Sequence, residues 1–366
     1  MSKILSGALV GKKESVTDQI LLLNAYQTPL ISAVGFGEAV LQTEHSWFED
    51  SMFGTESKTT ATATDSATSI VVADVEPFRV NQVIKIGEEL LLVTAVTTGT
   101  KTLTVTRGYA NTTAAAVASG AVVSVQFVEG VEGADARAAR NKPRVRKSNI
   151  TQIFDDTVSI SGTSAAIANH GIDNLYEYEK SKKLLELALQ LEKALIGGIK
   201  YENGTVRQMA GIRSMITTNV VNLSGTDALS YGKLVDAIQK IYTAGGFKSG
   251  GNYEIQVPAL QKRAIGGFDK SQVEIGQADA TRGTVVDYIV TDFGRFPVVI
   301  NDNLNADEVI IVDKNRIKIR PLQGREFAHT YLGVQGDYYA GQIVGEYTLE
   351  LHQEQAHARI KGIKTS

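Results

Sequence analysis

The sequence predicts an α+β chain into which a small all-β barrel or sandwich is inserted. Three observations predict this class: a long amphipathic helix near the middle of the chain, short β-rich segments at about ten-residue spacing over residues 57–128, and long strand-like segments near the C-terminus. The chain has 366 residues, of which 43% are hydrophobic and 21% charged. This is the composition of a folded protein, and the length corresponds to about two domains.

The charge and cysteine content exclude several classes of protein. Lysine and arginine number 37 and aspartate and glutamate 40, so the formal charge of −3 excludes a polycation that binds nucleic acid over its whole surface. The absence of cysteine excludes disulfides, a thiol nucleophile and cysteine-based zinc sites, and it fits synthesis in a reducing compartment. No run approaches the roughly eighteen apolar residues of a membrane span, and the N-terminus lacks a signal-peptide core. We therefore expect no membrane segment and no removed leader.

Residues 1–45 are expected to form an N-terminal arm. They are polar and interrupted by glycines, with too little apolar surface for a domain. The helical spacing of Val16, Ile20 and Leu23 predicts one short helix. Pro29 predicts the end of that helix, because the residue before a proline is pushed out of the α region.

The β-rich segment 57–128 differs in composition from both of its flanks. Threonine, alanine and valine dominate it, and turn residues separate its apolar runs. Five short strands at such even spacing predict a compact antiparallel barrel or sandwich, inserted into the surrounding chain. The predicted strands are 69–72, 83–86, 89–96, 103–106 and 121–127.

A basic run follows the β-rich segment in the connector 129–150. Six basic residues occur within eleven positions, with no acid between them: Arg137, Arg140, Lys142, Arg144, Arg146 and Lys147. They could form a solvated linker, pair with acids of a neighbouring subunit, or contact the phosphates of packaged nucleic acid. The mildly acidic net charge favours the first two interpretations over the third.

The strongest helix signal in the chain covers residues 173–196. Leucine and alanine recur on one face at 3.6-residue periodicity, Asp173 can cap the first turn, and Gly197-Gly198 ends the helix. Such a helix is roughly 33 Å long, which is enough to support a domain.

The remaining chain is predicted to hold two shorter helices and several strands. The helices run from Ser230 to Ala244 and from Pro258 to Ile265. The last long strand places Tyr347, Leu349 and Leu351 on one face, and Thr348, Glu350 and His352 on the other. The other predicted strands are 285–290, 298–300, 309–312, 317–320 and 358–361.

The sequence shows no motif of phosphate binding or nucleophilic catalysis. The glycines of 245–251 lack a preceding buried strand and indicate a flexible helix exit.

Each histidine is interpreted as a surface or interface residue. His352 and His357 are five apart, which puts them on opposite faces of a strand, while His45, His170 and His329 have no partner at ligand spacing. Neighbouring Asp155 and Asp156 point apart, so they predict no acid/base pair. We therefore predict no catalytic, cofactor or metal site.

Several segments resemble tailed-bacteriophage major capsid (major head) proteins. They are Thr28-Pro29-Leu30, His45-Ser46-Trp47, NITQI at 149–153, VSISGT at 158–163, Gly336-Asp337 and GQIVGEYTLE at 341–350. The resemblance covers nearly the whole chain apart from 57–128. That segment separately resembles small β-modules of phage virion proteins, through IGEELLLVT at 86–94 and RGYANTT at 107–113.

The resemblance implies the tailed-phage major capsid fold and a structural, non-enzymatic role. The chain would form pentamers and hexamers of an icosahedral shell around double-stranded DNA, which it would contact without sequence specificity. It would be made in the host cytoplasm and become part of the virion, with scaffold, portal and decoration proteins as candidate partners and no cofactor. The implied parts are the arm 1–45, an extended loop 46–150 carrying the insert 57–128, a peripheral domain 151–204 with a spine helix 173–196, an axial domain 205–300, and C-terminal strands 301–366 of the peripheral domain.

Two other functions stay open at the level of sequence. A nanocompartment (encapsulin-like) shell protein shares the implied fold. A virion adhesin would use the 57–128 module to bind a receptor or glycan. The module has few aromatic residues, which speaks against glycan binding.

Overall fold

The computed structural model describes residues 28–133, 135–167, 174–268, 288–334 and 336–365. The chain divides into two compact units. The main unit holds the described residues up to Trp47 and from Arg146 onward, and the insert unit is Phe48–Val145. The helix predicted around Val16–Leu23 lies outside the described residues, as do His170 and Asp173.

The described residues form six α-helices and twenty strands, numbered here in chain order. The helices are α1 Pro29–Val34, α2 Gly162–Ala166, α3 Leu175–Gly197, α4 Ile212–Met215, α5 Tyr231–Thr243 and α6 Ala259–Gly266. The strands are β1 Glu44–Glu49, β2 Glu56–Lys58, β3 Ser69–Val71, β4 Gln82–Ile86, β5 Glu89–Thr97, β6 Thr102–Thr106, β7 Val122–Val128, β8 Val145–Ile150, β9 Gln152–Ser161, β10 Tyr201–Asn203, β11 Val206–Gln208, β12 Val220–Asn222, β13 Tyr253–Val257, β14 Tyr288–Thr291, β15 Gly294–Ile300, β16 Val309–Asp313, β17 Ile317–Pro321, β18 Ala328–Val334, β19 Tyr338–Leu351 and β20 Ala358–Lys361.

The insert unit is built on a six-stranded antiparallel sheet in the order β2-β7-β4-β5-β6-β3. All five predicted strands are present, each with ends within one residue of the prediction. The two edges of the sheet meet beyond β2 and β3, because Thr60 N donates to Val71 O at 3.0 Å and Ala73 N to Lys58 O at 2.8 Å. Alternating apolar side chains fill the interior that this closure encloses.

A buried ion pair fixes the long loop of the insert unit. Glu89 accepts two hydrogen bonds from the guanidinium of Arg107, at 2.8 and 2.7 Å. It also accepts from Gly108 N at 3.0 Å and Ala115 N at 3.1 Å. The Glu89 carboxylate thus accepts four hydrogen bonds, and these hold the loop between β6 and β7 in place.

The main unit contains two principal sheets. The first is mixed and runs β12-β20-β16-β13-β15-β14, and α5 packs on it through Leu234, Ala237, Ile238 and Ile241. In the second sheet β19 lies between β9 on one side and β17 and β18 on the other. The predicted helices at 230–244 and 258–265 are confirmed, with Ser230 capping the first.

The long helix α3 packs on the second sheet. Its leucines Leu187, Leu191 and Leu195 are fully buried there, as the periodicity predicts. Leu184, assigned to the same face, is 37% exposed. Asn174 caps the helix by accepting from Tyr176 N and Glu177 N, so the cap lies one residue after the predicted Asp173.

The end of the predicted arm is more ordered than the sequence suggested. Pro29 begins helix α1, where its fixed φ suits the first turn. Residues 35–43 then run parallel to β17, with Gly37 N bonded to Ile319 O and Val40 N to Pro321 O, both at 2.8 Å. This part of the arm packs on its own chain, and its helix at 29–34 was not predicted from the sequence.

The second half of strand β19 is buried on both faces. The predicted inward residues Tyr347, Leu349 and Leu351 lie in the core around α3. Thr348 and Glu350 on the opposite face are buried as well. Thr348 Oγ1 donates to Ile150 O at 3.0 Å, which places the chain around β8 over this face.

Candidate assembly surfaces and buried anchors

The predicted basic run is divided between the two units. Arg137 to Arg144 belong to the insert unit, whereas Arg146 and Lys147 belong to the main unit. Arg140 places its guanidinium 4.0 Å from the ring centroid of Phe53 and donates to Pro77 O at 3.1 Å. This arginine therefore packs on its own unit.

The other basic residues of the insert unit also have partners there. Lys142 Nζ lies 3.1 Å from Glu76 Oε2, and Arg137 donates to the carbonyl of Glu129. Arg144 Nε lies 3.5 Å from Asp50 Oδ2, but both side chains are mostly exposed, so this pair contributes little stability. Arg144 keeps its charge accessible at the surface.

Arg146 and Lys147 lie on β8 in the main unit. Because successive side chains of a strand point to opposite faces, these two cations do not act on one surface. Both are exposed. Of the six basic residues, Arg144, Arg146 and Lys147 are therefore the ones most available to a partner.

A buried carboxylate brings together three distant segments of the main unit. Glu350 Oε2 lies 2.9 Å from His45 Nε2 and also accepts from Arg320, while Oε1 pairs with His352. Burial raises the pKa of Glu350, but the hydrogen bonds from His352, Arg320 and His45 outweigh it and hold that pKa well below its usual range. The cluster fixes β1, β17 and β19 to one another.

The only tryptophan of the chain lies inside this cluster. Trp47 is buried, with its ring centroid 5.9 Å from that of His45 and 5.9 Å from that of His352. The sequence analysis did not connect His45 with His352. Their common link is Glu350, more than 300 positions from His45, and local spacing contains no signal for such a contact.

Two further glutamates of the main unit act in the same way. Glu346 accepts from Thr151 Oγ1 at 2.6 Å, Arg207 at 2.7 Å and Arg325 at 2.9 Å. Glu308 accepts from Arg213 at 2.5 Å and pairs with Arg359. Removing one partner of a buried pair costs about 3–5 kcal/mol, because the other charge stays buried without compensation.

Helix α3 carries a fourth buried carboxylate. Glu192 accepts from Leu30 N at 2.8 Å and Ile31 N at 3.0 Å, at the start of α1, and from Asn301 Nδ2 at 3.0 Å. Burial raises the pKa of Glu192, although these three donors oppose the shift. The spine helix therefore binds the beginning of the described chain.

The other two histidines of the described residues, His329 and His357, hold structural positions. His357 is buried, and its Nδ1 accepts from Asp313 N at 3.1 Å. Burial lowers the pKa of His357 to about 4, so the ring is neutral at physiological pH. His329 Nε2 lies 2.8 Å from Tyr176 Oη. Within the described ranges, no three His, Cys, Asp or Glu side chains are arranged to hold a metal ion.

The neighbouring aspartates Asp155 and Asp156 and the glycine-rich segment 245–251 make ordinary structural contacts. Asp156 pairs with Lys183 of α3 at 3.0 Å, while Asp155 lies 3.4 Å from Gln342 on β19. Residues 246–249 form a single 3₁₀ turn after α5. None of the described helices is long and apolar enough to cross a membrane.

Exposed apolar side chains occur on two hairpins of the main unit. The first is the β10–β11 hairpin with its approach, where Ile199, Tyr201 and Val206 are 70%, 49% and 51% exposed. The second is the β18–β19 hairpin, with Tyr331, Leu332, Val334 and Tyr339. Beside it a cavity of about 350 Å³ is lined by Tyr176, Tyr331 and Tyr339 among others. Several large apolar side chains exposed on one hairpin make it a candidate site of association.

Comparison with known proteins places this architecture in a family. A family model for the SU10 major capsid protein matches residues 4–364, and the chain therefore belongs to that family. The major capsid protein of Escherichia phage Phieco32 is 32% identical over 120 residues, which is 33% of this chain and 33% of that protein. The matched segment thus spans about a third of that relative.

Solved structures show the same fold at low sequence identity. The capsid of an empty GTA particle has a TM-score of 0.53 at 11% identity, covering 98% of this chain and 96% of that one. A chain from Gordonia phage Cozz has a TM-score of 0.51 at 8% identity, covering 97% and 93%. One from Mycobacterium phage Adephagia has a TM-score of 0.50 at 11% identity, covering 98% of both chains. The resemblance to major capsid proteins is confirmed, and with it the α+β capsid fold.

Proposed function

We propose that this chain is the major shell protein of a tailed-phage virion. Copies associate into pentamers and hexamers that close an icosahedral container around double-stranded DNA. The observation that carries this proposal is the family match over residues 4–364, on a chain with the fold of solved capsid proteins. The exposed apolar side chains on the two hairpins of the main unit supply the kind of surface that such association buries.

The parts of the chain take their roles from this fold. Residues 1–45 act as the arm and 46–150 as the extended loop, with the β-barrel near its tip. Residues 151–204 and 301–366 form the peripheral domain around α3, and residues 205–300 form the axial domain, whose sheet also takes up β16 and β20 from the C-terminal segment. Three of the buried glutamates support this division, because Glu192 on α3 and Glu346 and Glu350 on β19 each bind a segment distant in sequence.

Arg144, Arg146 and Lys147 are the candidate contacts to acids of a neighbouring copy or to packaged DNA. All three are exposed, and Arg144 has only a solvent-screened partner. Interactions of this kind weaken as salt rises, for subunit contacts and phosphate contacts alike. Scaffold, portal and decoration proteins are the further candidate partners, and synthesis takes place in the host cytoplasm.

The test is the assembly state of the purified full-length chain. Light scattering on a size-exclusion column, with negative-stain microscopy of the same peak, should show closed particles or discrete pentamers and hexamers. Where the chain stays monomeric alone, co-expression with the scaffold protein of the same genome should produce particles. A chain that is monomeric under both conditions contradicts the proposal.

A further inference from the structure

Strand β18 is an edge strand that lacks most of the usual protection of sheet edges. Within the described ranges it pairs with β19 alone, along the register from Ala328 opposite Val344 to Val334 opposite Tyr339. Its seven residues, AHTYLGV, include no Lys, Arg, Asp, Glu or Pro. Natural edge strands usually avoid unwanted pairing by being short, charged, bulged, interrupted by proline or covered, and of these devices β18 has one bulge, between Tyr331 and Gly333.

Other terminal strands of this chain follow that rule. Those of the two six-stranded sheets, β2, β3, β12 and β14, are three or four residues long. Strand β17 is covered by residues 35–43, and β9 carries Asp155 and Asp156. A long, uncharged edge at β18 is therefore an exception within the same molecule, and it indicates that this edge is covered in the working protein.

Exposed apolar side chains follow the edge that β18 forms with β19. Tyr331 is 53% exposed and lies opposite Gly341, and Val334 is 61% exposed and lies opposite Tyr339, which is 40% exposed. Because Gly341 and Tyr339 are two residues apart on β19, Tyr331, Val334 and Tyr339 lie on one face of the sheet. Leu332, which is 45% exposed, is the extra residue of a β-bulge between Tyr331 and Gly333. An occupant that comes up against this edge covers all four side chains.

The exposed area of these side chains is large enough for the centre of a protein–protein interface. Taking about 190 Å² per side chain, the four residues leave roughly 400 Å² exposed, as much as the largest apolar patch of a typical monomer. This is about half of the roughly 800 Å² that each partner contributes to a standard interface. The edge can therefore form the centre of an interface whose rim lies on neighbouring residues.

We infer that the β18 edge is an interface between copies of this chain, occupied by a neighbouring copy in the shell. The inference rests on the proposed function and names one contact through which that function works. Every copy carries the edge, so every copy needs an occupant, and in a closed symmetric assembly a second copy supplies one occupant for each. The uncharged surface also suits a neighbour that is itself mildly acidic overall, since no charge on the strand repels it.

The first test places a photo-cross-linking amino acid, p-benzoylphenylalanine, at position 332 of the full-length chain. Chains labelled with ¹⁴N and ¹⁵N are mixed before assembly, and cross-linked peptides from particles are identified by mass spectrometry. Peptide pairs of mixed isotope, both from this chain, are expected. Pairs within one copy, pairs with a different protein, or no cross-link in formed particles would overturn the inference.

The second test compares Leu332→Lys with Leu260→Lys. Leu260 is a matched control because it is 42% exposed, close to the value for Leu332, and lies on helix α6, away from β18. Both variants should keep the circular dichroism spectrum and melting temperature of the wild type. The yield of particles is expected to fall at least tenfold for Leu332→Lys and to stay near wild type for Leu260→Lys. Equal yields for the two variants would overturn the inference.

These tests separate the inference from the proposed function. Wild-type particles with no cross-link between copies at position 332 reject the β18 interface but leave the shell function intact. Wild-type chains that form no particles, alone or with scaffold, reject both.

Discussion

The buried ring of His357 makes the main unit sensitive to acid in a way that can be calculated. Its Nδ1 accepts from Asp313 N, and burial lowers its pKa from 6.5 to about 4. The groups facing it are Asp313 and Glu354, which favour the protonated ring, and Arg316, which opposes it. Because burial outweighs the two carboxylates, folding keeps the ring neutral in the range where the unfolded chain protonates it.

The sign and size of the effect follow from proton linkage. Between pH 6.5 and pH 4 the unfolded chain binds more protons at this position than the folded chain, so stability falls as the pH falls. With a folded pKa of about 4, the loss between pH 8 and pH 5 is about 2 kcal/mol. It levels off at about 3 kcal/mol below pH 4, where both states are protonated.

The perturbation that tests this calculation is His357→Asn. The asparagine oxygen can replace Nδ1 as the acceptor for Asp313 N, but the side chain does not titrate. The variant loses ring volume and is expected to be less stable than wild type at pH 8. Between pH 8 and pH 5 the difference between wild type and variant should shrink by about 2 kcal/mol, since only the wild type binds the extra proton on unfolding.

Urea unfolding followed by tryptophan fluorescence is a suitable assay. Trp47 is the only tryptophan of the chain and, like His357, lies in the main unit, so its emission maximum reports the unfolding of the relevant part. The measurement is made at a concentration too low for assembly. If wild type and His357→Asn lose the same free energy of unfolding between pH 8 and pH 5, the assignment of a neutral buried histidine is wrong.

Four further predictions concern the anchors, the basic residues and the insert. Glu350→Gln should destabilise the main unit by about 3 kcal/mol at pH 7 in the same urea assay. It should also flatten the loss of stability below pH 4.5. Because folding lowers the pKa of Glu350, its stabilising contribution is complete above the unfolded pKa of 4.5 and is lost progressively as the pH falls below that value. An acid limb that is unchanged in the variant contradicts this. Glu192→Ala leaves two backbone donors and Asn301 without an acceptor, and it should lower the free energy of unfolding by about 3 kcal/mol. Glu192→Gln keeps an acceptor and should lower it by about half as much. Equal losses for the two variants would show that these hydrogen bonds do not contribute to stability. The double variant Arg144→Ala, Arg146→Ala should lower the salt concentration at which particles dissociate. Arg140→Ala should instead lower the thermal stability of the chain, because the Arg140 side chain packs on Phe53. If light scattering gives the same salt midpoint for both variants, the distinction between exposed and packed arginines is wrong. Replacing residues 50–143 with a short Gly-Ser turn should leave a soluble main unit, because that unit has its own core. The emission maximum of Trp47 should not change. An insoluble product would show that the main unit needs the insert unit for folding.

Local patterns were sufficient to locate most of the regular structure. The strands of the insert were predictable because each has turn residues on both sides and apolar residues at alternate positions, as in β4 and β5. The helices α3 and α5 were predictable because their apolar faces repeat every 3.6 residues and glycines follow them. In each case the information lies within about twenty consecutive residues.

The buried anchors could not be predicted from the same patterns. In the sequence, Glu350 occupies the polar face of a strand with alternating residues, and Glu192 occupies a polar position on an amphipathic helix. Neither pattern predicts burial. Both are buried because a segment from far along the chain covers them: His45 in one case and Leu30 in the other. A pattern of hydrophobic and polar residues records whether a face is apolar, but not whether another segment pairs with its charged residues.

Under the proposed function, these anchors keep the main unit in one form while the proposed arm and extended loop contact neighbouring copies. Glu192 on α3 accepts from Leu30 N and Ile31 N, and Glu350 on β19 pairs with His45 on β1. Both anchors are charge-assisted hydrogen bonds in a buried setting, which resist displacement because breaking them leaves a charge without a partner. They hold these two segments on α3 and on the second sheet, so that the surfaces of that sheet, including the β18 edge, keep one geometry under the forces of assembly.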